Sequence, residues 1–185
     1  MLVWIDLEMT GLNSALDTIL EIATIITDNQ LNVVATGPHL IIGHTQEQLD
    51  NMDPWCINTH GKSGLSALAL QSKITVHEAE RQTLEFIKMY CPLHKAYLAG
   101  NTVWQDRIFL HKYMPSIVHY LHYRLVDVTT VKNMVNMWYA SWPEREFKKT
   151  DGHRALSDIR QSIAELEHYR AVFFKKPARL FVEPF

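Results

Sequence analysis

The sequence has few cysteines and no excess of charge of either sign, and both features limit the classes it can belong to. Its two cysteines, Cys56 and Cys91, form neither a CxxC pair nor a disulfide framework, so we predict a reducing, cytoplasmic location. The 18 Lys and Arg residues and the 20 Asp and Glu residues give a net charge of -2. A protein that grips long nucleic acid usually has a basic face, so this balance favours a short or locally held substrate.

Targeting signals, membrane-spanning runs and linkers are also lacking. The chain begins Met1-Leu2-Val3-Trp4-Ile5-Asp6, without a basic stretch or a long apolar run, so we expect this segment to be neither a signal peptide nor a membrane span. No repeat, low-complexity tract or Pro/Gly/Ser-rich segment divides the 185 residues. A single domain is therefore predicted.

The predicted secondary structure begins with strands and continues with alternating helices and strands. Period-two alternation predicts a strand over 2–8, and β-branched residues predict another over 19–27. Two extended pieces, 31–35 and 39–42, flank Gly37-Pro38 and complete an antiparallel meander. Further strands are predicted over 96–99 and 123–126, with helices over 75–90, 103–113, 127–139 and 155–174. This order predicts a mixed α/β sheet with flanking helices.

Asp6 and Glu8 are the first residues whose pattern suggests chemistry. They are two apart on a predicted strand, so both carboxylates face the same side of the sheet. Their neighbours are apolar, and buried carboxylates without partners are costly. Spacing alone leaves two readings open: surface acids on an edge strand, or ligands of a hard cation such as Mg²⁺.

Asp106, His153 and Asp158 are weaker signals when each is considered alone. Asp106 lies about one turn into a predicted helix, where an acid also interacts favourably with the helix dipole. His153 precedes a helix whose first turn contains Asp158, and such a histidine is commonly a surface or capping residue. The pair His119 and His122 is predicted to be non-catalytic, because no Cys/His cluster with zinc spacing accompanies it.

Taken together, these residues belong to motifs of a known family. The motifs are VWIDLEMTGL (3–12), LEIATIITD (20–28), MDPWCINTHGKSGL (52–65), GNTVWQDRIFLHKYMP (100–115), HYRLVDVTT (122–130) and HRALSDIRQSIAEL (153–166). On these segments the chain resembles the DEDDh 3′→5′ exonucleases and, within them, the oligoribonucleases. Met9 and the HYR segment favour this narrower resemblance over the proofreading exonucleases. It implies a ribonuclease H-like fold, with a mixed five-stranded sheet flanked by helices, in one exonuclease domain over 1–174. The tail, 175–185, lies outside the resemblance, and its role stays open.

The resemblance also implies an active site with two divalent metal ions, Mg²⁺ or Mn²⁺. The implied ligands are Asp6, Glu8, Asp106 and Asp158, and His153 is implied as the general base that takes a proton from water. Charge balance agrees: two carboxylates 4 Å apart repel by about 4 kcal/mol at an effective dielectric near 20. Two divalent cations would offset the four negative charges.

Substrate contacts are implied in the same way. Leu12 resembles a wedge between two bases, and Trp55 and His60 resemble stacking or ribose contacts; core packing is the alternative for Leu12 and Trp55. The resemblance also implies a homodimer with shared active sites. Thr102 and Thr129 of one subunit would hold a 5′ phosphate, and Tyr123 and Arg124 of the other subunit would cover it. Tyr123 is also a candidate catalytic residue.

The implied substrates are 5′-phosphorylated dinucleotides and other very short RNAs, cleaved to 5′-mononucleotides. Two alternatives stay open: a broader DEDDh exonuclease acting on longer RNA or DNA ends, and a catalytically inactive RNA-binding domain. The sequence departs from the family pattern where Thr102 and Thr129 replace serine. It also departs at Trp104, which stands where a small residue is common and could crowd the site entrance.

Overall fold

The computed structural model describes residues 1–149 and 154–174, and a five-stranded sheet lies at its centre. The strands are β1 (Leu2–Met9), β2 (Ile19–Thr27), β3 (Val33–Ile41), β4 (Tyr97–Gly100) and β5 (His122–Asp127), in the order β3-β2-β1-β4-β5. The first three strands pair antiparallel, as the predicted meander requires, while β4 and β5 extend the sheet in parallel with β1. The predicted mixed α/β architecture is confirmed.

Helices pack on both faces of this sheet. In the described ranges they are α1 (Gln46–Asp50), α2 (Pro54–Lys62), α3 (Leu65–Gln71), α4 (Val76–Tyr90), α5 (Val103–Tyr113), α6 (Pro115–Tyr120), α7 (Val128–Trp138) and α8 (Ala155–Phe173). The face that carries Val3 and Ile5 packs against α4, α5 and α6, and the face that carries Trp4 packs against α7 and α8. Alternate residues of β1 thus enter two separate cores, which explains why this strand is apolar on both sides. Among the described helices, none combines the length and apolarity that a membrane span requires.

Strand β3 corrects the prediction of two extended pieces, 31–35 and 39–42. It runs unbroken from Val33 to Ile41 and includes Gly37 and Pro38. Proline is tolerated because β3 is an edge strand, and its pairing with β2 is irregular at this point. A side chain on Gly37 would clash, since a Cβ there would lie 2.4 Å from the Phe86 ring. Gly37-Pro38 therefore marks a bulge within the strand rather than a break in it.

Four helices had no counterpart in the prediction, which left 46–71 and 115–120 unassigned. Thr45 and Asp53 cap α1 and α2 by accepting hydrogen bonds from first-turn amides, which the sequence pattern alone did not reveal. Pro115, predicted as the end of the helix over 103–113, also begins α6. Proline suits a first helical position because the amide it lacks would have no partner inside the helix.

Candidate active site

Three of the four predicted ligand carboxylates meet at one place. Asp6 and Glu8 on β1 and Asp158 on α8 each offer one oxygen, and these oxygens lie within 4.8 Å of one another. The alternation of β1 directs Asp6 and Glu8 to the face that α8 covers, and Asp158 lies in the first turn of that helix. The sequence predicted this grouping, although the acids belong to elements far apart in the chain.

Asp106, the fourth predicted ligand, lies beside these three acids but outside their 4.8 Å group. It is buried on α5, and its Oδ1 accepts a hydrogen bond of 3.0 Å from the amide of Leu7, the residue between Asp6 and Glu8. Its negative charge also acts on Asp6, where it adds to the effect of burial in raising the pKa. All four acids therefore lie close to the end of β1.

Burial and mutual repulsion make these acids difficult to ionise together. Burial, followed by the charges of Asp106 and Glu8, raises the pKa of Asp6 well above its usual range. Burial and then the Asp158 charge raise the pKa of Glu8 to about 8. Burial raises the pKa of Asp106 to about 7 even though the Leu7 amide stabilises its charged form. Hard divalent cations prefer carboxylate oxygens and relieve such repulsion, so this set of donors fits Mg²⁺ or Mn²⁺.

The raised pKa values predict that the metal-free protein loses stability as the pH rises. For Glu8, the stability gained by holding its proton is fully present below the unfolded pKa, 4.5, and is lost as the pH rises through about 8. Thermal unfolding in chelator should therefore show Tm falling between these pH values, and excess Mg²⁺ should restore Tm at the upper one. Glu8→Gln is the matched control and should flatten the fall; an equally steep fall in this variant would contradict the assignment.

A cavity of about 390 Å³ adjoins the acids and is lined by three of the predicted substrate contacts. Its lining includes Glu8, Gly11, Leu12, Trp55 and His60. Leu12 is 73% exposed and Trp55 is 59% exposed, which excludes the alternative that they are core residues. Both apolar side chains are accessible to a ligand next to the carboxylates.

His60, the third predicted contact in this region, is buried rather than open to solvent. Its Nε2 lies 2.9 Å from the carbonyl oxygen of Met9, which accepts a hydrogen bond, and its Nδ1 lies 3.9 Å from a Glu8 oxygen. The ring therefore connects α2 to the end of β1 and lies against a predicted metal ligand.

The two predicted phosphate-binding threonines are adjacent at the ends of β4 and β5. The hydroxyl oxygens of Thr102 and Thr129 lie 3.0 Å apart, and the Thr102 amide donates to Thr129 Oγ1 and to Asp127 Oδ1. Thr102 has a φ of 52°, a left-handed conformation that is unfavourable for a β-branched residue. The hydrogen bonds from its amide hold it there, so two hydroxyls point into one small region.

Tyr123 and Arg124 lie on the edge strand β5, with the Arg124 guanidinium 5.3 Å from the centre of the Tyr123 ring. Tyr123 is 65% exposed. A groove of about 770 Å³ lies between α5 and β5 and is lined by Trp104, Arg107, Ile108, His111, Lys112 and Leu125. Trp104, a predicted obstruction of the site entrance, lines this groove and not the cavity beside Glu8.

His153, the predicted base, lies outside the described residues, as does the tail 175–185. The sequence reasoning gave no role to Glu21, which is fully buried on β2 directly opposite Glu8. A signal for it existed, because a lone acid inside the apolar run ILEIATIIT needs partners if the strand is buried.

A mixed sheet of this order, with carboxylates gathered where β1 meets α8, defines a nuclease of the ribonuclease H-like class. The model of the Exonuclease family, RNase T type, matches residues 3–166. The chain is 49% identical over 174 residues to an oligoribonuclease of Ectopseudomonas mendocina, a match covering 94% of this chain and 96% of that relative. It is also 50% identical to a probable oligoribonuclease of Dictyostelium discoideum, with 94% and 90% coverage. The chain belongs to the oligoribonuclease family.

This membership confirms the predicted enzyme class, a 3′→5′ exoribonuclease. Solved structures confirm the fold. The chain superposes on Pop2p of S. pombe with a TM-score of 0.71 and 15% identity, covering 94% of this chain and 84% of Pop2p. It superposes on Exonuclease I of Methylocaldum szegediense with a TM-score of 0.67 and 19% identity, covering 93% of this chain and 40% of that one. At these identities the likeness concerns the fold alone.

Proposed function

We propose that the protein degrades dinucleotides and other very short RNAs from the 3′ end and releases 5′-mononucleotides in the cytoplasm. The observation that carries this proposal is the juxtaposition of the carboxylate cluster with a cavity exposing Leu12 and Trp55. An exposed aromatic ring offers a stacking surface for a base, worth roughly 1–3 kcal/mol. The relatives named oligoribonuclease support the substrate class, and the free state of both described cysteines suits a reducing compartment.

The carboxylates would hold two divalent ions, Mg²⁺ or Mn²⁺, which when bound activate water and offset the charge on the phosphate and the leaving 3′ oxygen. Asp6, Glu8 and Asp158 supply the closest group of oxygens, and Asp106 completes the set from α5. The Pop2p structure, which shares the fold, is a form with Mg²⁺ and Mn²⁺ bound. The acids need this positive charge, since burial and repulsion otherwise raise their pKa values.

His153 acts in this proposal as the general base. It accepts a proton as the water oxygen attacks phosphorus and the bond to the 3′ oxygen breaks. A histidine with an unperturbed pKa near 6.5 is mostly neutral at pH 7 and can accept that proton. The next residue in the chain, Arg154, is hydrogen-bonded to Glu21, which lies opposite Glu8 in the sheet.

A homodimer with shared active sites would explain selectivity for short substrates. Tyr123 and Arg124 of one subunit would cover a 5′ phosphate bound to Thr102 and Thr129 of the other, leaving room for a dinucleotide. The groove between α5 and β5 supports this partner, because it exposes Trp104 and Ile108 at a strand edge that a second copy could cover. The arginine would supply the positive charge that the two hydroxyls lack.

A length series tests the function. Turnover of 5′-phosphorylated RNAs from dinucleotide to decamer should be measured with Mg²⁺, with Mn²⁺ and with chelator. We expect the dinucleotide to react at least about tenfold faster than the decamer, a difference of 1.36 kcal/mol or more. Equal rates would instead indicate a broader exonuclease. Absence of nucleotide release with both metals would indicate an RNA-binding domain without activity.

Arg124→Ala is expected to weaken the preference for short substrates. A hydrogen bond to a charged group contributes about 1.5–3 kcal/mol, so KM for the 5′-phosphorylated dinucleotide should rise about 10- to 100-fold. The decamer rate should change little. A dinucleotide with a 5′ hydroxyl should bind wild type and variant alike, because it lacks the phosphate that Arg124 contacts.

Arg81→Ala is the matched control for this variant, since Arg81 forms exposed ion pairs with Glu78 and Glu85 on α4. It should retain the wild-type length preference. If Arg124→Ala also retained that preference, Arg124 would not cover the 5′ phosphate.

A further inference from the structure

We propose that Glu21 is a positioning residue for the reaction: it fixes the start of α8 against β2 and thereby places Asp158 beside Asp6 and Glu8. The inference deepens the proposed function and rests on it, because it takes Asp158 to be a metal ligand. Glu21 itself touches neither substrate nor metal in this proposal. It is fully buried, and β-sheet pairing sets it directly opposite Glu8.

Three hydrogen bonds and one further ion-pair contact reach the Glu21 carboxylate, from β3, from Arg154 and from the first residue of α8. Oε1 accepts a hydrogen bond from Arg154 Nε at 2.9 Å, and Arg154 Nη2 lies 2.8 Å from the same oxygen as an ion pair. His39 Nε2 on β3 lies 2.5 Å from that oxygen. Oε2 accepts from the Ala155 amide at 3.0 Å. That amide is among the first-turn N–H groups that a helix cannot satisfy internally. The N-cap residue Arg154 provides no side-chain cap, so Glu21 provides one from the sheet.

Arg154, which Glu21 holds, is hydrogen-bonded directly to Asp158. The Asp158 amide donates to the carbonyl oxygen of Arg154 at 3.0 Å, so one backbone hydrogen bond joins the residue held by Glu21 to the predicted ligand. A helical turn is stiff, and a shift of Arg154 and Ala155 would displace Asp158 with them. His153 immediately precedes Arg154 in the sequence, so the same contact lies one residue from the predicted base.

The charge of Glu21 is unfavourable for the ligand acids, which argues that its geometry is what matters. After burial and the charge of Asp158, the charge of Glu21 contributes to raising the pKa of Glu8. Although burial opposes ionisation, hydrogen bonds from His39 and Arg154 hold the pKa of Glu21 itself below its usual value. A neutral glutamine has one acceptor oxygen, whereas a carboxylate uses two oxygens to accept all of these donors.

A role confined to fold stability is the competing explanation, and it makes different predictions. Buried ion pairs add little net stability compared with well-packed neutral residues. A stability role would lower Tm and leave the folded enzyme's kcat and metal affinity unchanged. A positioning role would alter both quantities in protein that is fully folded at the assay temperature.

The test compares Glu21→Gln, Arg154→Ala and Arg154→Lys in the full chain. Mn²⁺ affinity is measured by calorimetry, and kcat and KM are measured with a 5′-phosphorylated dinucleotide. We expect Glu21→Gln and Arg154→Ala each to weaken Mn²⁺ binding and lower kcat about 10- to 100-fold, as substitutions next to metal ligands do. KM should stay within about threefold, because the cavity around Leu12 and Trp55 is untouched. Arg154→Lys should recover part of both losses.

The double variant Glu21→Gln/Arg154→Ala should be no worse than either single variant, since both remove the same contact. Glu85→Gln, which breaks an exposed ion pair on α4, and Ile87→Val, which loosens the core on the opposite face, should keep wild-type kcat and Mn²⁺ affinity. The inference is overturned if folded Glu21→Gln matches wild type in both quantities, or if Ile87→Val reproduces its losses at equal Tm. If the wild-type protein binds Mn²⁺ but does not hydrolyse the dinucleotide, the proposed function is contradicted. The Mn²⁺ affinities of wild type and Glu21→Gln would still test whether Glu21 positions Asp158.

Discussion

Asp6→Asn is expected to lower kcat at least about 1000-fold, which corresponds to roughly 4 kcal/mol of lost transition-state stabilisation. Asp6 contributes one of the three oxygens that lie within 4.8 Å of one another, and its neighbour Leu7 donates a hydrogen bond to Asp106. An amide has nearly the same shape as a carboxylate but lacks its charge and one of its two acceptor oxygens. The variant should therefore keep the fold while losing affinity for divalent ions.

The same substitution should stabilise the metal-free protein, and this opposite effect distinguishes a metal ligand from a structural acid. Burial and the neighbouring acids raise the pKa of Asp6, so its charged form is unfavourable when no cation is present. In chelator at neutral pH, Tm of Asp6→Asn should exceed that of wild type, while added Mg²⁺ should stabilise only wild type appreciably. Asp50→Asn, at an exposed position on α1, is the control and should change neither quantity. Wild-type activity in Asp6→Asn would remove Asp6 from the proposed site.

The fold could be predicted to the extent that it depends on local pattern. The alternation of β1, the β-branched run of β2 and the apolar spacing of α4 each encode one element through its own residues. Strand β3 could not be predicted in the same way, because Gly37 and Pro38 carry a turn signal whichever structure surrounds them. Their place in a strand depends on the sheet edge and on the Phe86 ring, and both are tertiary features.

The residues of the site also differ in whether they could be predicted from local sequence. The family motifs predicted Asp6, Glu8, Asp106 and Asp158 as metal ligands, because each of these positions lies within a contiguous segment that carries the resemblance. They gave Glu21 no role because the partners of Glu21 are on other elements, and the Ala155 amide is 134 residues away. Likewise, the exposure of Leu12 and Trp55 cannot be deduced from their apolar character, which is equally typical of a core residue.

His153→Ala is expected to lower kcat about 100- to 10,000-fold, the usual range for loss of a general base. Because the four acids remain, Mn²⁺ affinity and dinucleotide affinity should stay close to wild type, in contrast to Asp6→Asn. The pH dependence provides a second criterion. A histidine base must be neutral, so wild-type kcat should fall as the pH drops below about 6.5, and the variant should lack that acid limb.

His77→Ala, an exposed histidine on α4, controls for the loss of an imidazole and should retain both kcat and the acid limb. The comparison with Glu21→Gln then separates a group that moves a proton from one that holds a helix in place. Glu21→Gln should weaken Mn²⁺ binding and keep the acid limb, because His153 is still present. His153→Ala should keep Mn²⁺ binding and lose the acid limb. If His153→Ala kept the acid limb at a reduced rate, a group other than His153 would be accepting the proton, and His153 would lose its role as the general base.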